Sequence, residues 1–301
     1  MRLAAIDLGS NTFHLIIADS NSHDLKVIYK TNRPIKLSED ITKSNEIIPV
    51  AFERGINCLK EYKDILNDYN VVKVKAVATS AIRSAQNGQD FIVTARDLTG
   101  IDIQIISGEE EASLIYESVK ASGAIQGKSL IMDIGGGSTE FIFCDENKSY
   151  WKKSFDIGAA RLMQKFWMND PISNNEIKEI NNYLEDTLLE LITFNQSFGA
   201  TCLIGSAGAF ETFIEMINPA TNLDNLKSAP LDINQYRTLS DTLVQSTHNQ
   251  RAQMPNLIPL RVDMIVMASV LTDFIIQNLN IQELRMTTYD LKYGVLNSLI
   301  S

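Results

Sequence analysis

Residues 4–17, AAIDLGSNTFHLII, and residues 130–143, LIMDIGGGSTEFIF, carry one pattern twice. Each has an apolar strand, an aspartate, a turn of Gly, Ser, Asn or Thr, and a second apolar strand. Asp7 aligns with Asp133, Gly9 with Gly135, Thr12 with Ser138 and Leu15 with Phe141, all at an offset of 126. A second pair, VKAVATSAIR at 74–83 and ATCLIGSAGA at 200–209, aligns at the same offset and sets Ser80 over Ser206. Two motifs at one offset predict a duplicated domain, residues 1–124 and 125–301.

Outward from these motifs the periodicity predicts alternating strands and helices. Strands are expected at 2–9, 12–19, 25–30, 72–78 and 101–106, and helices at 44–68, 88–99 and 107–122, the last with Ser107 as its N-cap. In the second half strands are expected across 129–143 and at 200–205. Helices are expected near 159–168, 173–197, 232–247, 261–278 and 289–300, one following Ser206, and 219–221 and 228–232 read as loops. Interleaved strands and helices give an α/β class with layered sheets, and a duplicated unit leaves a cleft faced by the loops of both halves.

Composition bounds the function. The chain has 301 residues with 45% hydrophobic residues, 37 acidic against 27 basic ones and a net charge of −10. That balance predicts no nucleic-acid partner. No apolar run approaches a membrane span, and the start MRLAAIDLGSN is not read as a secretory leader, so the expected location is cytoplasmic and off the membrane. Cys58, Cys144 and Cys202 are odd in number and far apart, which favours buried reduced thiols over disulfides or a thiolate metal site. The histidines (His14, His23, His248) show no ligand spacing. An anionic substrate would have to be held locally, by backbone amides, a few arginines and a divalent metal.

The two loops suit that task. Glycines and small polar residues let successive backbone N–H groups point into one concavity, which favours an anion. Asp7 and Asp133 suit a hard cation such as Mg²⁺. Glu109, Glu110 and Glu111 lie ~100° apart on a helix, so they cannot share a face. One of them can face a substrate and act as a base while the others are solvated. Arg83 offers a planar fork for bidentate phosphate contact.

AAIDLGSNTFHLII, AVATSAIR, ISGEEEA, MDIGGGSTEF and IGSAG, in this order, resemble the motifs of the exopolyphosphatase/guanosine pentaphosphate phosphohydrolase family, from residue 3 to about 296. The resemblance implies duplicated actin-like (ribonuclease H-like) domains, in the short, two-domain form. It also implies Glu111 as general base for the attacking water and Arg83 as the grip on the terminal phosphoryl group. Glu140 would help place water or metal, and Asp133 is implied as a magnesium-linked acid. Phosphate cradles would be Gly9, Ser10, Asn11 and Thr12; Gly135, Gly136, Gly137, Ser138 and Thr139; and the turn with Gly205, Ser206 and Gly208. One departure stands out: the family's Leu-Arg-Glu-Gly stretch reads Leu291-Lys292-Tyr293-Gly294 here, which loses the guanidinium fork and the acid.

The function these features favour is Mg²⁺-assisted removal of terminal orthophosphate from inorganic polyphosphate, guanosine pentaphosphate, or both. Two alternatives stay open: a binding sensor for guanosine polyphosphates with little or no turnover, and an ATP-dependent kinase of the same superfamily. The apolar segments Ile265–Ile276 and Leu291–Leu299 fit either the core or the seam of an expected homodimer.

Overall fold

The computed structural model describes residues 1–21, 24–39, 45–206 and 208–300. Ser44 at the start of one expected helix, His23, and Ala207 in the Gly205–Gly208 turn lie outside the described residues. By their contacts the described residues form two compact units.

The first unit comprises Met1–Ser118, Gly135–Gly137 and Leu291–Ser301. Its sheet has strands β1 (Arg2–Leu8), β2 (Thr12–Asn21), β3 (Asp24–Pro34), β4 (Lys73–Ala78) and β5 (Ile103–Ile105), in the order β3-β2-β1-β4-β5. β2 and β3 are antiparallel meander partners, and β4 and β5 run parallel to β1. Ala4, Ile6, Leu8, Phe13, Leu15 and Ile17 line the face that packs on the amphipathic helices Pro49–Asp68 and Gly88–Thr99. Pro49 at the first turn presets the helical φ of the former, and left-handed Gly100 ends the latter.

The second unit comprises Val119–Ile134 and Ser138–Asp290. β6 (Ser129–Ile134), β7 (Thr139–Cys144), β8 (Ser149–Phe155), β9 (Cys202–Ser206), β10 (Ser228–Leu231) and β11 (Glu283–Thr287) form a six-stranded sheet ordered β10-β11-β9-β6-β7-β8. Apart from the extra edge strand β10, this is the first sheet repeated. Helix Met264–Asn278 is buried nearly all round, so Ile265–Ile276 belong to the core of this unit. Leu291, Val295, Leu296 and Leu299 are buried in the first unit, where helix Leu291–Asn297 packs on β1, β2 and β4. Neither apolar segment is thus free to form a seam.

Several expectations change. The units do not follow a single cut between residues 124 and 125: contacts change over after Ser118, and the C-terminal segment from Leu291 packs with the first unit. The helix expected at 173–197 is two, Asn174–Thr187 and Leu189–Phe198, broken at Leu188. Ser228–Leu231, expected as loop, is the edge strand β10, where Pro230 is tolerated because an edge strand has one side without ladder partners. β8 and β11 were not expected at all; their alternating or mixed polarity hides half-buried strands.

The duplication holds in the hairpins and shifts in the later strand. Asp7 pairs with His14 on β2, and Asp133 with Glu140 on β7, at the offset of 126. On the next strand, however, Asp7 faces Val77, 70 residues on, while Asp133 faces Ser206, 73 residues on. The equivalence of 74–83 with 200–209 is therefore out of register by three. Among the described residues one long helix lies between β3 and β4 whereas three lie between β8 and β9, so nothing holds the chain spacing constant.

Candidate active site

In the first unit the β1–β2 turn is tightly fixed. The Gly9 N–H donates to the Thr12 carbonyl at 3.1 Å, and a Cβ at Gly9 would stand 2.8 Å from that oxygen. Ser10 is buried; its Oγ accepts the Ala81 N–H at 3.1 Å, and the Asn11 carbonyl accepts from the N–H groups of Ile35 and Lys36. The Gly135–Gly137 loop packs against this turn. A Cβ at Gly136 would lie 3.2 Å from the Asn11 Cβ, and one at Gly137 only 2.6 and 2.8 Å from the hydroxyls of Ser80 and Ser10. Glycine is required here because three backbone segments converge. Ser80, which follows β4 and is 1% exposed, was not among the expected site residues; its hydroxyl has no hydrogen-bond partner among the described residues.

The same unit brings Arg83 and Glu111 together. Arg83 sits in the short helix Ser80–Ser84, directly after β4. Helix Gly108–Ser122 starts on the expected cap: the Ser107 Oγ accepts the Glu110 N–H at 3.1 Å. Of the three acids in its first turn, Glu109 is exposed, Glu110 half-buried and Glu111 buried. The Arg83 Nη1 donates to Glu111 Oε2 and to the Ile106 carbonyl, each at 3.0 Å. Burial sharpens this pairing, since a desolvated carboxylate needs a donor to stay charged. Asp7 is also buried, at the end of β1. The Leu291–Gly294 stretch opens the C-terminal helix, and a Cβ at Gly294 would fall 2.1 Å from the Leu114 carbonyl, so this helix crosses the Glu111 helix at backbone contact.

The second unit places the other candidates. Asp133 and Glu140 are cross-strand neighbours on β6 and β7. The Ser206 Oγ donates to Asp133 Oδ2 at 2.8 Å, and the Ser154 Oγ to Glu140 Oε1 at 2.6 Å. Ser138 is buried, and the Thr139 Oγ1 donates to the Ile157 carbonyl at 3.2 Å, a contact internal to the fold. Gly205 lies inside β9 between β6 and β11, where a Cβ would collide with the Phe210 ring at 1.9 Å. Packing accounts for this glycine. Gly208 starts helix Gly208–Ile217 at a φ of 49°.

Two adjacent carboxylates are hard oxygen donors. No cluster of three or more His, Cys, Asp or Glu fit to hold a metal occurs among the described residues. The pair fits a cation that takes one or two carboxylates and completes its shell with water and phosphate oxygens, as Mg²⁺ does. The cysteines are free and buried, as expected, and burial pushes the thiols of Cys58 and Cys144 up to about 11 and about 12. Trp151 and Lys153 both bond Glu190 on an exposed part of β8, in keeping with a surface role. No helix is long and apolar enough to cross a membrane among the described residues.

The repeated sheet, with a glycine-containing hairpin turn in each copy, defines a protein of the duplicated actin-like class. An exopolyphosphatase from Cytophaga hutchinsonii of known structure matches 100% of this chain over 98% of its own, at 34% identity and a TM-score of 0.96. A Haemophilus influenzae protein, provisionally named an exopolyphosphatase, is 30% identical over 99% of the chain and 91% of its own length. The guanosine-5'-triphosphate,3'-diphosphate pyrophosphatase of Photobacterium profundum is 25% identical over 99% of the chain, which spans 59% of that longer protein. Residues 16–301 match the Ppx/GppA phosphatase family, and the chain belongs to it. It is a phosphoanhydride hydrolase.

Proposed function

We propose that the protein removes terminal orthophosphate from inorganic polyphosphate or from guanosine pentaphosphate. The observation that carries this reading is the pair of half-buried Arg83 and buried Glu111, two groups suited to grip a phosphoryl group and to take a proton from water. Glu111 is the general base: its carboxylate accepts a proton as the water oxygen attacks the terminal phosphorus and the bridging P–O bond breaks towards the shortened chain. Arg83, released from Glu111 as substrate enters, neutralises charge on the transferring group. Backbone N–H groups of Ser10–Thr12 and Gly135–Gly137 cradle the phosphates, with Gly9 closing the turn through its own N–H. In this reading Thr139 and Gly205 serve the fold, through a backbone contact and through packing, and Ser206 acts through Asp133.

Asp133 and Glu140 would hold a divalent cation of the Mg²⁺ type, which when bound supplies charge neutralisation for the phosphate oxygens. The homologues support both substrates, one by an exopolyphosphatase name and one by a guanosine polyphosphate name. Buried free thiols favour a reducing, cytoplasmic setting. We further read the assembly as a homodimer; light scattering showing only a 33.6 kDa species would refute that part.

The test is orthophosphate release from both substrates, with Mg²⁺ present or chelated, in wild type and Glu111→Gln. Release that needs the metal and falls ~10²–10⁴-fold in the variant is expected. Equal rates in folded Glu111→Gln would remove Glu111 from the chemistry. No release by wild type from either substrate would overturn the reading.

A further inference from the structure

Five neighbouring strands of the second unit carry a polar residue at one level of the sheet. Ser154 on β8 stands opposite Glu140 on β7, Glu140 opposite Asp133 on β6, Asp133 opposite Ser206 on β9, and Ser206 opposite Thr287 on β11. Residues paired in register share a face with Cβ atoms ~5 Å apart, so the side chains stand in a row across the sheet. The row occupies the face opposite the one whose Met132, Phe141, Leu203 and Met286 build the core. Ser154 and Ser206, the outer neighbours of the two carboxylates, each donate their hydroxyl inward, at 2.6 and 2.8 Å. Thr287, one strand further out, donates to the Lys227 carbonyl instead.

The first unit supplies a natural comparison. The same level there reads Asn32, His14, Asp7, Val77 and Gln104. The position of Ser206 is held by valine, so strand pairing at this point accepts an apolar side chain. A hydroxyl 1% exposed is costly there unless it is hydrogen-bonded, and Ser206 bonds the Asp133 carboxylate. The same hydroxyl also stands 3.3 Å from the Tyr289 carbonyl, a longer contact than the 2.8 Å to Asp133, which makes the carboxylate its main acceptor.

We infer that Ser206 and Ser154 are positioning residues that hold Asp133 and Glu140 in one orientation and so preset this carboxylate pair for a divalent cation. The inference rests on the proposed role of that pair. A carboxylate held by a fixed donor loses rotational freedom before the cation arrives, and small cations with strict geometry gain most from this. Partners of metal ligands commonly carry 10–100-fold in affinity.

The experiment titrates Mn²⁺ into the full-length protein without substrate and reads free ion by electron paramagnetic resonance. Thermal midpoints and orthophosphate release are recorded alongside. Ser206→Ala and Ser154→Ala are each expected to weaken Mn²⁺ binding ~10–100-fold and to lower kcat more than they change KM. Ser206→Thr, which keeps the hydroxyl, is expected to restore most of the affinity. Ser154 is the less buried of the two, so Ser154→Ala carries the same expectation where Ser206→Ala does not fold. Unchanged Mn²⁺ affinity in folded alanine variants overturns the inference, as does a wild type that binds no Mn²⁺. Weakened Mn²⁺ binding together with no phosphate release by wild type would sustain the positioning and sink the hydrolase reading.

Discussion

Asp273 shows how one half-buried carboxyl can be read without reference to catalysis. It belongs to helix Met264–Asn278 and accepts a hydrogen bond at 2.5 Å from the Oγ of Ser240 on helix Ile233–Gln245. Burial raises its pKa from the ordinary 3.8 to about 6; hydrogen bonds from Ser240 and Tyr236 oppose the shift, and the Asp241 charge adds to it. The native state therefore binds this proton more tightly than the unfolded chain. Stability from the group is complete below pH 3.8 and is lost as pH climbs towards 6, at a cost of ~3 kcal/mol at neutrality. Asp273→Asn is expected to raise the thermal midpoint at pH 7.5 and to flatten its dependence between pH 4 and 7; an unchanged pH profile would exclude Asp273 as its source. Glu176 shows the reverse case. Burial alone would raise it, but the Ser173 hydroxyl and the N–H groups of Met168, Ser173 and Asn169 hold it at about 2.

At the scale of elements, two glycines mark where secondary structures touch. The C-terminal helix can lie on the Glu111 helix only because Gly294 has no side chain to meet the Leu114 carbonyl, 2.1 Å from its missing Cβ. That obstacle is backbone and cannot rotate away. Gly294→Ala is expected to destabilise by ~1–3 kcal/mol or more, lowering the midpoint by ~2–4 °C per kcal/mol, and to reduce activity by moving the Glu111 helix. Gly205 meets a ring, Phe210, so part of that clash could relax through the side chain. Full stability and activity in Gly294→Ala would show that the two helices are not in close contact. The Lys292–Tyr293 departure falls in the first turn of this same helix, where the Lys292 Nζ stands 5.7 Å from the Tyr293 ring.

For the whole molecule, the net charge of −10 opposes a polyanionic substrate. Local donors must overcome a repulsive field whose range shrinks from ~30 to ~10 Å between about 0.01 and 0.1 M salt. The KM for polyphosphate is accordingly expected to fall or hold steady over that interval at fixed free Mg²⁺. A steep rise would mean that a basic track, rather than loop amides and one arginine, captures the chain. The sharing of Leu291–Ser301 with the first unit also means that both chain termini belong to one compact body.

The local chemistry was legible in the sequence. Turn glycines, the Ser107 cap, the burial of one acid among three and the inert cysteines each depend on residues close in the chain, where φ preferences, periodicity and burial act directly. The duplication was legible for the same reason, because a hairpin of fixed length keeps its register and set Glu140 opposite Asp133 as His14 is set opposite Asp7. Beyond the hairpins the sequence lost the register by three, left β8 and β11 unread and took β10 for a loop. Those points were decided by tertiary structure alone. Pairing between distant strands is fixed by which faces bury together, and helices of different number and length between the strands leave no spacing from which it could be read. Ser206 donates to Asp133, and Gly205 makes room for Phe210, only once β9 has settled beside β6.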